Sequence, residues 1–251
     1  MNIPVIQGVI ERRILANFRV DPQALARFLP PPFRPQLYQG YGLAGICLIR
    51  LAQVRPRGWP RWIGMRSENA AHRAAVEWEV DGCLHSGVYI KRRDTSSRLN
   101  AIGGGRLFPG VHHHACFHVE ESPERLAVAM KSDDRSASLS ISGRVTKQWP
   151  ASSIFDSVNE ASAFFAAGSL GYSDVADGAR FQGLELRCES WEVEPLEVEE
   201  VRSSLFDDGS EFSPGTVEFD NALLMRGIEH QWHAQRDLCC APVPARATRR
   251  Q

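Results

Sequence analysis

Alternation of apolar and polar residues dominates this chain, and Gly- or Pro-containing turns interrupt it at short intervals. In residues 8–20, Ile10, Arg12, Ile14, Ala16 and Phe18 share one parity, the period of two that predicts a strand. Asp21-Pro22 then reads as an N-cap with proline at the first helical position. The predicted helix, residues 22–29, stops at Pro30-Pro31-Pro32. A strand follows at 41–54. Residues 55–64 are expected to form a loop packed by Trp59 and Trp62.

Strands at 67–80 and 84–92 flank Asp81-Gly82, a strong hairpin signal. Asp94-Thr95-Ser96 is suited to cap a short helix running to residue 102, ended by Gly103-Gly104-Gly105. Further strands are predicted at 111–121, 126–130, 136–145, 181–194 and 198–203, with a helix at 159–167. Residues 217–232 fit either period and are assigned here to a strand. The Pro/Arg-rich residues 241–251 are expected to fray as a flexible tail, leaving 1–240 as a single domain. Strands outnumber helices and are joined by turns rather than helical crossovers. The fold class is therefore α+β: a mainly antiparallel sheet, strongly curved into a cone or barrel, with a few helices packed against it.

Composition narrows the function classes. Of 251 residues, 43% are hydrophobic and 24% charged, and the net charge is −1. That balance lacks the basic excess of a nucleic-acid-binding domain. No apolar run reaches the ~18–20 residues of a membrane span, and the N-terminus shows no signal-peptide pattern. The six cysteines form no C-x-x-C pair. The expectation is a reduced, cytoplasmic protein that binds neither nucleic acid nor membrane and needs no cofactor; its exposed strand edges would allow a homo-oligomer. Lysine occurs only as Lys91, Lys131 and Lys147, so amine chemistry has three candidates. Arginine, by contrast, is abundant, and its planar fork suits carboxylate recognition.

Several stretches carry a resemblance. They are Ala16-Asn17-Phe18-Arg19-Val20-Asp21-Pro22, Arg66-Ser67-Glu68-Asn69, Gly87-Val88-Tyr89, the run from Arg98 through Gly103-Gly104-Gly105-Arg106 to Phe108-Pro109-Gly110, Gly168-Ser169-Leu170-Gly171-Tyr172-Ser173, and Ala222 to His230. In this order they resemble the acetoacetate decarboxylase-like superfamily, and within it the branch called domain of unknown function 2071. The resemblance implies a cone-like antiparallel sheet around a small-molecule cavity. In the decarboxylase a Phe-Pro-Lys-Lys stretch follows the glycine-rich turn, and its first lysine forms a Schiff base. Here Phe108-Pro109-Gly110-Val111-His112-His113-His114 stands in its place. The lysine positions fall on or near His112 and His113, and an imidazole cannot form an iminium.

The resemblance thus implies a cavity for a small carbonyl- or carboxylate-containing molecule without the Schiff-base lysine pair. Glu68 matches the decarboxylase's strand glutamate, and with His112 and His113 it is the candidate for proton transfer. Arg98, Arg106 and Asn69 are the candidates for holding the substrate. Two alternatives stay open. One is a non-catalytic binder on the same fold. The other is a metal site on His112 and His114, which share a strand face with Cys116 and lack an identified third ligand. Lys91 beside Arg93 is a further candidate amine.

Overall fold

The computed structural model describes residues 4–102, 110–175 and 180–239. Among them, thirteen strands form one sheet. The strands in chain order are β1 (Ile6–Val20), β2 (Arg34–Pro35), β3 (Leu37–Tyr38), β4 (Tyr41–Pro56), β5 (Met65–Val80), β6 (Cys83–Thr95), β7 (His112–Glu121), β8 (Arg125–Ser132), β9 (Ser138–Val145), β10 (Leu170–Asp174), β11 (Arg180–Cys188), β12 (Glu194–Ser203) and β13 (Val217–Cys239). The helices are α1 (Pro22–Phe28), α2 (Arg98–Ile102) and α3 (Val158–Ala167). None of these is long and apolar enough to cross a membrane.

All pairings are antiparallel except β6 with β7 and β6 with β10. The extra pairings β5–β6 and β11–β13 close part of the sheet into a ring of seven strands, β13-β1-β4-β5-β6-β10-β11. A curved, mainly antiparallel sheet with few helices is what the strand-and-turn pattern predicts. Closure has a physical motive, because strands that pair around a ring leave no open edge.

Local rules account for the elements. Asp81 (φ 50°) and Gly82 (φ 76°) occupy the left-handed region that a two-residue hairpin needs. At the start of α1, Asp21 Oδ1 accepts from the amides of Gln23 at 3.0 Å and Ala24 at 2.8 Å. Asp21→Ala is expected to lower stability by about 1 kcal/mol, checked as a lower urea midpoint.

Four expectations are corrected. Trp59 and Trp62 do not pack their loop; they are 59% and 85% exposed. The cap of α2 is Ser97, whose Oγ accepts from the Asn100 amide at 3.3 Å. Asp94 is turned inward instead, where Arg92 holds its carboxylate with both Nε and Nη2. The strand starting near 181 ends at Cys188, and the ambiguous segment is a strand continuing to Cys239. The short β10 went unpredicted because its five residues, LGYSD, carry no clear alternation. The glycine-rich turn at 103–105 and the tail at 241–251 lie outside the described residues.

Both faces of the ring strands are covered. On β1, Ile14, Ala16 and Phe18 enter a large core shared with β7, β8, β9 and α1, while Leu15 points into a second cluster with Phe155 and Phe165 of the α3 region. A third cluster holds Ile10, Leu51, Met225 and Ile228, with Trp191 and Trp232 against it. A cavity lies where the second and third clusters meet, inside the seven-stranded ring.

Candidate functional site

The cavity measures ≈ 140 Å³, space for a molecule of only a few heavy atoms, and every strand of the ring contributes to its wall. Its apolar lining includes Ile49, Leu51, Val88, Ile90, Leu184 and Trp232. Against that lining stand three arginines, Arg13 from β1, Arg73 from β5 and Arg93 from β6.

None of the three has a carboxylate partner among the described residues. Arg13 Nε donates to Cys47 Sγ at 3.4 Å, its Nη1 approaches Met225 Sδ at 4.0 Å, and its guanidinium lies 5.3 Å from the Trp191 ring centroid. Arg73 Nη2 donates to Asn17 Oδ1 at 2.8 Å, and the guanidinium packs 5.0 Å over Phe165. Arg93 Nε donates to Ser173 Oγ at 3.0 Å. Burial lowers both Arg73 and Arg93 to about 10, so both remain cations at neutral pH. A neutral ring of acceptors satisfies part of their hydrogen-bonding capacity and none of their charge.

Arg73 is held by a buried relay. Asn17 Nδ2 donates to Asn221 Oδ1 at 2.9 Å, and Asn221 Nδ2 donates to Asp220 Oδ2 at 2.6 Å. Polar atoms inside the cavity wall remain unmatched: Arg73 Nε, Trp191 Nε1 and Asn100 Oδ1 have no hydrogen-bond partner among the described residues. Buried polar groups are ordinarily paired, so two donors and an acceptor on residues of one cavity wall are left without protein partners among the described residues.

His112 also lines the cavity. Its Nδ1 lies 3.3 Å from the Gly110 carbonyl oxygen, which can only accept, so Nδ1 carries the hydrogen. Burial, then the charge of Arg93, pushes its pKa down to about 3. At neutral pH the ring is uncharged, the form able to take a proton.

Of the residues singled out by sequence, Asn69 and His112 meet at this cavity. Asn69 Nδ2 donates to the carbonyl of Ile49 at 3.3 Å and to Ser67 Oγ at 3.0 Å. Glu68 is one residue out of phase. Its carboxylate sits on the other face of β5, bound by Arg12 Nη2 and Arg50 Nε, each at 2.5 Å. His113 Nδ1 faces Asp134 at 3.1 Å, away from the cavity wall. Arg98 is an exposed residue of α2. Arg106 lies outside the described residues.

The lysines are equally clear. Lys91 is exposed with Nζ 5.9 Å over the Phe28 ring, and neither it, Lys131 nor Lys147 lines the cavity. As for metal, His114 Nδ1 is engaged by Asp133 at 2.7 Å while His112 faces the cavity. Among the described residues no group of three or more His, Cys, Asp or Glu is placed to hold an ion.

Sequence reasoning did not single out Arg13, Arg73 or Asn100. One signal was available for Arg73, which interrupts the apolar run Ala70-Ala71-His72-Arg73-Ala74-Ala75. A cation inside an alanine-rich strand costs free energy unless something anionic answers it.

The comparisons agree with this architecture. The family model for domain of unknown function 2071, described as an uncharacterized conserved protein, matches residues 9–222. An acetoacetate decarboxylase-like enzyme from Sphingomonas wittichii RW1 has a similar structure, with TM-score 0.60 and 10% identity over 96% of this chain and 94% of that one. The enduracididine biosynthesis enzyme MppR, complexed with the condensation product of pyruvate and imidazole 4-carboxaldehyde, gives TM-score 0.59 and 14% identity over 96% and 91%. Acetoacetate decarboxylase from Legionella pneumophila gives 0.58 and 11% over 94% and 90%. At these identities the likeness is one of fold. No curated protein sequence matches the chain.

Proposed function

Since the chain belongs to the domain of unknown function 2071 family and has the acetoacetate decarboxylase-like fold, we propose that its ring cavity binds a small carboxylate bearing a carbonyl group, without Schiff-base chemistry. The observation that carries this reading is the set of three cavity-lining guanidiniums, Arg13, Arg73 and Arg93, none of them ion-paired among the described residues, while the carboxylate in the same wall, Asp94, is taken by Arg92. A bound carboxylate would supply that charge through charge-assisted hydrogen bonds. Asn69, Asn100 and the neutral His112 would meet the polar remainder of the ligand, and the aliphatic wall its carbon chain. The volume of ≈ 140 Å³ suits a compact acid.

The related enzyme MppR has been obtained with pyruvate bound, which makes a 2-oxo acid the first class to try. The distant lysines favour a reading in which any transformation proceeds through electrostatic stabilisation and proton transfer rather than an iminium. Glu68 serves the scaffold in this reading, and His112 is the proton-transfer candidate.

The test is calorimetry and thermal shift with pyruvate and acetoacetate against their methyl esters. Acids should bind and raise Tm, and the esters should not. Arg93→Met should weaken binding of the acids by roughly tenfold or more, corresponding to about 1.5–3 kcal/mol for a hydrogen bond to a charged group. The same change should leave Tm of the free protein equal or higher, since it removes an uncompensated buried charge. Equal binding of esters and acids would sink the proposal.

A further inference from the structure

Cys47 has no role in the reading above, yet it lines the same cavity as the arginine cluster. It lies on β4, is 8% exposed, and lines the cavity. Arg13 Nε donates to its sulfur at 3.4 Å, and a guanidinium can only donate. Arg73 and Arg93 line the same cavity. A cysteine buried among hydrocarbon is ordinarily an inert packing residue. Here three guanidiniums line the same cavity, and the carboxylate in its wall, Asp94, is held by Arg92.

A second, independent feature points to a ligand in the same space. Asn100 is 8% exposed and lines the cavity from α2, yet its Oδ1 has no hydrogen-bond partner among the described residues. Arg73 Nε and Trp191 Nε1 are in the same condition. These are not atoms that a thiol alone could satisfy. A polar molecule in the cavity would offer them partners.

We infer that Cys47 is an anion-directed nucleophile, placed so that a small carboxylate held by Arg13, Arg73 and Arg93 presents an electrophilic carbon to its sulfur. This inference rests on the anion-binding reading of the cavity and adds a reacting atom to it. The natural class is a 2-oxo carboxylate. Addition forms one S–C bond at the carbonyl carbon, and the C=O π pair moves onto oxygen. The oxygen takes up the proton that the thiol gives up, so S–H adds across C=O and no further reactant is needed. The adduct is a reversible thiohemiketal.

The experiment replaces the reversible electrophile with an irreversible one. Iodoacetate and neutral iodoacetamide alkylate thiols by the same displacement: an S–C bond forms, the C–I bond breaks, iodide leaves, and the thiol proton passes to solvent. The full chain is treated with each reagent at pH 7, and the cysteine-containing peptides are quantified by mass spectrometry. Iodoacetate should label Cys47 roughly tenfold or more faster than iodoacetamide, because a cleft lined by one sign of charge concentrates the opposite ion. The exposed Cys83 and Cys116 serve as internal references and should show no preference for the anion. Excess pyruvate should protect Cys47 and leave Cys83 unaffected. Arg93→Met, verified as folded by its Tm, should abolish the preference at Cys47.

Labelling of Cys47 at equal rates by both reagents, or none by iodoacetate in the folded protein, overturns the inference. Cys47→Ala separates the two readings. If Cys47 shows no anion preference while Cys47→Ala and the wild type both gain Tm with pyruvate, the thiol proposal fails and the anion site stands. If the wild type gains no Tm with any carboxylate, the anion site fails first and takes the thiol proposal with it.

Discussion

Replacing Arg12 with methionine is expected to destabilise the protein by about 2–4 kcal/mol, the low side of the range for breaking a buried ion pair. Arg12 is 1% exposed and donates to Glu68 Oε2 at 2.5 Å and Glu121 Oε2 at 3.1 Å. Arg50 completes the square, with Nε to Glu68 at 2.5 Å and Nη1 to Glu121 at 2.8 Å. The network ties β1, β4 and β5 to β7, on the face of the ring strands away from the cavity. Removing Arg12 leaves Glu68 and Glu121 to share Arg50, with Arg226 Nε a further cation at 4.0 Å from Glu121. Both carboxylates are partly exposed, so water screens some of the penalty. The double change Arg12→Met with Glu68→Met leaves the complete pair Arg50–Glu121 and should recover much of the loss. Urea denaturation of the four species measures it. If the double variant is less stable than Arg12→Met by the full cost of Glu68→Met alone, the charge-balance account is wrong. Pyruvate affinity, normalised to folded protein, should stay within about twofold of wild type in Glu68→Met, since sites without shared partners behave additively.

Acid should destabilise the protein through buried histidines, His72 and His230 alongside the cavity's His112, whose pKa is pushed down to about 3. His72 and His230 are 1% and 2% exposed, and burial lowers each from 6.5 to about 4, with Arg92 adding to the effect at His72 and Arg13 at His230. His72 Nε2 lies 3.0 Å from Ser203 Oγ, and His230 packs against Trp232 at 4.4 Å between ring centroids. The folded-state pKa lies below the unfolded one, so between pH 6.5 and about 4 the unfolded chain binds more protons. Stability therefore falls as pH drops through that window and levels off below it. Each histidine contributes about 3 kcal/mol over the full window, and the pair together rivals the total stability of an ordinary domain. Urea midpoints from pH 7 to 4.5 should fall steeply, and the double variant His72→Gln, His230→Gln should flatten the fall. An unchanged slope in that variant would assign the acid sensitivity elsewhere, to His112 and the carboxylates.

How much of the site was legible beforehand turns on parity. The resemblance places Glu68 and Asn69 among the site candidates, and Asn69 lines the cavity. Glu68, its neighbour, is not, because successive strand residues point to opposite faces. The same step separates His112, in the cavity, from His113, beside Asp134. Similarly, Arg12 and Arg13 look equivalent in the sequence. One balances two glutamates on the outer face of the ring, and the other lies unneutralised inside it. Resemblance along the chain located the region correctly and could not supply the phase.

The sequence by itself determined the longer strands, most of their limits, the Asp21 cap, the Asp81-Gly82 hairpin and the curved, mainly antiparallel sheet, because these follow from local torsional preferences and the period of two. It also determined which residues share a face. Which face lines the cavity was decided only by the tertiary structure. In a sheet exposed on one side, the polar face declares itself, whereas in this ring both faces are buried and both carry arginine. The decision rests on long-range closure, the pairing of β5 with β6 and of β11 with β13. That closure turns Arg13, Cys47, Asn69, Arg73, Arg93 and His112 toward one small space and leaves Glu68 outside it.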